Sequence, residues 1–148
     1  MLTIKILGSG CQNCQNLASL AAQAVNSLSI DAKIEKVGLL GTRFTMEDGF
    51  YALRLANFGL ATVTPSLQER MRMDEIIYNE LCQGKIQPES KAEVIEMIHA
   101  LKDQGAEAIL LACTELGMLI GRQDSSIPVY DTMHLHAQEA VRQSLIFD

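Results

Sequence analysis

The feature that most constrains this chain is residues 108–112, AILLA, inside the stretch "AEAILLACTELGML". The run is apolar without alternation. A strand of that kind is buried on both faces, as in the centre of a parallel sheet covered by helices. It ends at Cys113-Thr114-Glu115, so a lone cysteine stands where a buried strand stops. A second cysteine pattern, "GSGCQNCQN", carries Cys11 and Cys14 near the start of the sequence.

The rest of the chain alternates between two periodicities. Short strands are read at 2–7, 32–40, 61–64 and 128–130. Apolar residues at helical spacing predict helices over 14–28, 45–57, 67–82, 91–104 and 134–146. Ser66–Glu69 and Ser90–Glu93 fit the capping box, in which the serine accepts from a backbone N–H and the glutamate reaches back. Gly84 and Gly105 are placed to stop the helices that follow those boxes. Asp131 or Thr132 is placed to cap the last helix. Strands alternating with helices predict one α/β domain over 1–148, a three-layer α/β/α arrangement with a mainly parallel five-stranded sheet. Its expected topology is flavodoxin-like or similarly doubly wound. Ligands in such sheets bind where strands end and helices begin. That rim would gather loops 8–14, 41–45, 113–115 and 131–134.

Composition narrows the function classes. Hydrophobic residues make up 48% and charged residues 20%, which predicts a packed core. The net charge of −6 argues against nucleic acid as a partner. No apolar run is long enough to span a membrane. The start "MLTIKIL" lacks a signal-peptide pattern, and the four cysteines do not form a secreted disulfide framework, so a cytoplasmic location is expected. No metal site is expected. Zinc would need two ligands beyond Cys11 and Cys14, no second close cysteine pair exists, and His134 and His136 diverge on a helix. His99 and the helically spaced methionines are read as structural.

Cys11 and Cys14 follow a strand and open a predicted helix. Two intervening residues let both thiols meet across the first turn, the arrangement a dithiol–disulfide cycle needs. Here residues 1–37 resemble the small thioredoxin-like redox-active disulfide proteins. The resemblance implies a β-α-β unit with Cys11 and Cys14 as a redox pair. Pro65 could mimic the cis-proline of thioredoxins, but a capping box and a long helix follow it.

From residue 37 the chain resembles a different family. "VGLLGTRFTMEDGFYALRLANFG", "IIYNELCQGKI", "GAEAILLACTELGMLI" and "IPVYDTMHLHAQEAV" are similar to the carboxy-terminal half of aspartate/glutamate racemases, nearly collinearly over 37–146. The resemblance implies cofactor-free chemistry on an amino acid. One cysteine takes the α-proton as thiolate, and another returns one from the opposite face. Cys113 matches the cysteine of this half, with helix amino termini expected to hold its thiolate. Thr114 and Thr42 would bind substrate carboxylate. Glu115 would orient the site or cap the following helix. Cys82 would line the pocket or sit buried and inert. His136 matches a family histidine, with a place on the helix surface expected.

The family pairs two similar halves, and the Cys-Thr-Asn-Thr-type motif of the other half does not occur here. The two resemblances meet inside one strand, which points to an engineered chimera with no selected activity. Two alternatives stay open: an aspartate or glutamate racemase whose thiol pair is completed by a homodimer, in a form that includes exchange of segments, and a thiol–disulfide oxidoreductase acting through Cys11 and Cys14.

Overall fold

The structure of the protein, a computed structural model, describes residues 34–145. Four strands, β1 (Lys36–Leu40), β2 (Ala61–Val63), β3 (Ala108–Leu111) and β4 (Val129–Asp131), form one sheet in the order β2-β1-β3-β4. All three pairings are parallel. Around them lie α1 (Arg43–Glu47), α2 (Phe50–Ala56), α3 (Leu67–Glu75), α4 (Pro88–Asp103), α5 (Leu116–Leu119) and α6 (Thr132–Ser144).

The unalternating run at 108–112 folds as expected, because both faces of β3 are covered. Ile109 and Leu111 enter a cluster with Leu40, Met73, Ile76, Ile98 and Leu101, which come from β1, α3, the turn after it and α4. Ala108 and Leu110 enter the opposite cluster with Val37, Leu39, Tyr51, Leu55 and Tyr130. Burying such side chains contributes roughly 1.5–3 kcal/mol each for a Leu or Ile. Gly38 on β1 leaves room for the helix layer: a Cβ there would lie 2.7 Å from the Ile109 side chain.

Among the described residues the sheet has four strands, where five were expected. The strand at 2–7, the helix at 14–28, Cys11 and Cys14 lie outside them. β1 has a neighbour on each side, so the chain reverses its direction of growth between β1 and β3. The crevice at the carboxyl ends of those two strands is where such a sheet binds ligands.

Several helices differ from their sequence reading. The helix at 45–57 is two helices, broken at Gly49, whose positive φ of 80° interrupts the hydrogen-bond ladder. The Ser66 capping box forms, with the Ser66 N–H donating to Glu69 Oε2 at 2.8 Å. That helix keeps α geometry only to Glu75, then widens into a π-turn (Ile76–Glu80) and tightens into a 3₁₀ turn (Leu81–Gln83). The Ser90 box does not form. Pro88 starts α4 earlier, with Gln87 at the N-cap, and leaves Ser90 inside the helix. Ser90 Oγ donates to Glu80 instead, while Glu93 accepts from Arg72 at 2.7 and 3.0 Å. Asp131 caps α6, accepting from the N–H of Met133 and of His134. No peptide bond is cis among the described residues, so Pro65 does not mimic the thioredoxin proline.

Candidate functional site

Sheet register builds the site. Leu40 pairs with Leu111, so Gly41-Thr42 and Ala112-Cys113 leave the sheet side by side at the reversal point. The Ala112 N–H donates to the Leu40 carbonyl at 2.7 Å. Gly41 permits this approach: a Cβ there would stand 3.1 Å from the Ala112 carbonyl oxygen and 3.2 Å from the Thr45 side chain.

Thr42 is half-buried and already engaged. Its hydroxyl accepts the Thr45 N–H at 3.2 Å and shares a hydrogen with the Thr45 hydroxyl at 3.0 Å, which caps α1. The next residue ties the loop to α3, since the Arg43 N–H donates to Asp74 Oδ1 at 2.7 Å. Glu47 closes the tie by pairing with Arg43 at 3.0 Å and with Arg70 at 3.1 Å. A cavity of about 410 Å³ opens beside this loop, lined by Arg43, Phe44, Glu47, Asp48 and Asp74.

Cys113 lies in a turn, and α5 behind it is a single turn of four residues. Its thiol donates to Glu115 Oε2 at 3.0 Å, and the Thr114 hydroxyl donates to the same oxygen at 2.6 Å. The two bonds hold the Glu115 carboxyl below its usual range, Thr114 contributing more. The cysteine moves the other way. Burial first, and then the bond to the Glu115 carboxylate, push the Cys113 thiol up to about 12. Cys113 is therefore held as a protonated thiol at neutral pH, first by burial and then by the carboxylate beside it.

Two further groups stand close by. Cys82 is exposed on the 3₁₀ turn that packs against α5, so it does not sit buried. Tyr78, on the π-turn, is raised by partial burial of its hydroxyl and then by the negative charge of Asp74. Sequence reading missed Asp74 and Tyr78. Neither residue belongs to a motif; they reach the site because the 67–83 segment packs beside the Thr42 and Cys113 loops.

The fourth loop of the rim is built differently. Gly117 lets α5 lie against Asp131, whose Oδ2 would sit inside bonding range of a Cβ at that position. A cavity of about 370 Å³ there is lined by Arg122, Asp131, His134 and Gln138 among others. Cys113 lines neither this cavity nor the one beside Arg43. His134 and His136 are both exposed on α6. Among the described residues no group of three or more His, Cys, Asp or Glu is arranged to hold a metal.

Fold and site together define a parallel α/β domain with a thiol–carboxylate pair at the reversal point of its sheet. The chain belongs to the Asp/Glu/hydantoin racemase family, whose sequence pattern matches residues 15–140. It is similar to the crystal structure of a candidate Asp/Glu racemase from Yersinia pestis, at 39% identity and a TM-score of 0.80, over 87% of this chain and 55% of that one. An aspartate racemase homologue from Pyrococcus horikoshii OT3 matches at 28% identity and a TM-score of 0.77, over 86% of this chain and 54% of that one. Aspartate racemase from Picrophilus torridus shares the fold, with a TM-score of 0.60 at 22% identity, over 80% of this chain and 46% of that one. The chain thus spans about half the length of these structures.

These matches do not support the two-ancestry reading. The family match spans residues 15–140, on both sides of Val37, so the join expected there finds no support. Neither does a thioredoxin-like segment or an engineered origin.

Proposed function

We propose that this chain carries half of a cofactor-independent amino-acid racemase site, with Cys113 as one of its two acid–base groups. Aspartate or glutamate is the proposed substrate. The observation that carries this reading is the place of Cys113: at the carboxyl end of β3, beside the Gly41-Thr42 loop, with its thiol 3.0 Å from the Glu115 carboxylate.

The chemistry follows from the protonation states. A thiol held near 12 is an acid at rest and gives a proton to an α-carbanion from its own face. In the opposite direction it must lose that proton before it can act as base. A substrate ammonium near Glu115 would offset the charge that opposes ionisation. Thr114, next to the thiol, and the Thr42 loop are the proposed carboxylate contacts. The group facing Cys113 across the α-carbon is proposed to come from a second copy of the chain in a homodimer, each copy presenting its own Cys113.

Solvent deuterium entry at the α-position of aspartate or glutamate, followed by proton NMR, tests this. Wild-type protein should exchange the α-hydrogen, and Cys113→Ala should lose the exchange. Absence of exchange by concentrated wild-type protein with either amino acid would sink the reading.

A further inference from the structure

Arg122 opens the short 3₁₀ turn Arg122–Asp124 between α5 and β4. It is exposed, and among the described residues no carboxylate pairs with it, whereas Asp124 on the same turn is taken by Lys91 at 2.9 Å. Two cavities meet at Arg122, since Arg122, Val129 and Tyr130 line both. The first, of about 460 Å³, adds Ser125, Ser126, Ile127 and Pro128 and has no carboxylate in its lining. Ser126 Oγ accepts Lys102 Nζ at 2.9 Å, which sets a second cation beside that cavity. Ser125 Oγ accepts the Ile127 N–H at 3.2 Å. Both serine oxygens are acceptors in these bonds, so both hydroxyl hydrogens are left to donate. In a chain of net charge −6, an acid-free cavity with an unpaired guanidinium is a place for an anion. The second cavity, of about 370 Å³, adds an apolar wall of Leu111, Ile120, Met133 and Leu135. Asp131 lines it too and repels an anion from that side, so a ligand's charged end belongs with Arg122 and Ser126.

We propose that these neighbouring cavities form one binding site for a small carboxylate with an apolar body. The carboxylate sits on Arg122 and the Ser126 hydroxyl, and the body lies against Leu111, Ile120 and Met133. A guanidinium gives two parallel N–H bonds to the two oxygens of a carboxylate, a match that a neutral amide with one oxygen does not offer. An apolar wall with a few polar groups that fix orientation is the usual make-up of a small-molecule site. Aspartate and glutamate have no apolar body to set against that wall, so the site is not a second seat for the proposed racemase substrate. Cys113, Glu115 and Thr42 line neither cavity, and the proposal does not rest on the racemase reading.

The test titrates the full isotope-labelled chain with hexanoate, hexanamide and inorganic phosphate and follows backbone amide shifts by NMR. Hexanoate should shift the amides of Arg122, Ser126 and Tyr130 saturably. Hexanamide keeps the body without the charge, and phosphate keeps the charge without the body; each should bind about tenfold or more weakly than hexanoate. Arg122→Gln should weaken hexanoate by a similar factor of about ten. Arg122 is exposed and unpaired, so the variant should keep the rest of its spectrum, and the hexanamide comparison on wild type decides the matter without it. Hexanamide or phosphate binding as tightly as hexanoate would overturn the proposal. So would undiminished hexanoate binding by Arg122→Gln, shifts confined to other residues, or no saturable shift at millimolar hexanoate. Cys113→Ala should bind hexanoate as wild type does, so this site and the racemase reading fail separately: one by loss of these shifts, the other by absence of α-hydrogen exchange.

Discussion

At the scale of single residues, the proposed chemistry turns on the pair Cys113 and Glu115. A thiol held near 12 is ionised to about one part in ten thousand at pH 8. Replacing Glu115 by Gln removes the charge and the strong acceptor while keeping the side-chain shape. The Cys113 titration should then fall, and iodoacetamide alkylation of Cys113 at pH 8, followed on its tryptic peptide 103–122, should speed up by about tenfold for each pKa unit recovered. An unchanged rate would mean that burial alone holds the proton. The same shift has a stability consequence. Because the folded thiol titrates above its unfolded value of 9.0, its contribution is complete below about pH 9 and is lost as pH rises toward about 12. Urea midpoints at pH 8 and pH 10.5 should therefore drop more in wild type than in Cys113→Ala.

At the scale of elements, what could be read from sequence depended on whether the cause was local. The burial of β3 was legible because AILLA carries its own signal, and the position of Cys113 followed from where that run stops. Its protonation was not legible, since that depends first on how far the fold buries the thiol and then on Glu115 turning back beside it. The two Ser-x-x-Glu patterns make the same point. Ser66 and Glu69 form a box because nothing competes for them. Ser90 and Glu93 are drawn into a network around Arg72, which reaches Glu93, Glu80, Glu75 and Ser90. That network also explains the π-turn, whose last residue, Glu80, is held by Ser90 and Arg72 across to α4. Arg72→Met should lower stability by about 1–3 kcal/mol, the worth of charge-assisted bonds whose acceptors are left behind, read as a shift in urea midpoint. Gly38→Ala should cost a similar ~1–3 kcal/mol for a different reason, because its new methyl meets Ile109 and Leu101 inside a filled layer.

At the scale of the whole molecule, the sheet brings together residues far apart in sequence, and one carboxylate ties its lower edge. Glu107, just before β3, accepts the N–H of Glu35 at 2.7 Å and of Lys36 at 3.0 Å, so it fastens the start of β1 to the start of β3. Those two backbone donors hold its carboxyl below the usual range. Glu93 is lowered by Arg72, Asp124 by the Gly121 N–H and then Lys91, and Glu139 by Arg142 to about 2. A carboxyl with a depressed folded value lends stability above its unfolded range and loses it as pH falls through the folded value. Stability should thus decline from about pH 5 downward, the unfolded carboxylates taking protons first. The exposed arginine pairs count for little each, since water and salt screen them. Glu107 differs because its partners are backbone donors at a strand junction rather than mobile side chains. Glu107→Gln keeps an acceptor there but has no proton to take up. The variant should be less stable than wild type at pH 7, yet lose less stability between pH 5 and pH 3 when urea midpoints are compared. Parallel slopes for the two proteins would show that the acid sensitivity resides in the side-chain ion pairs instead.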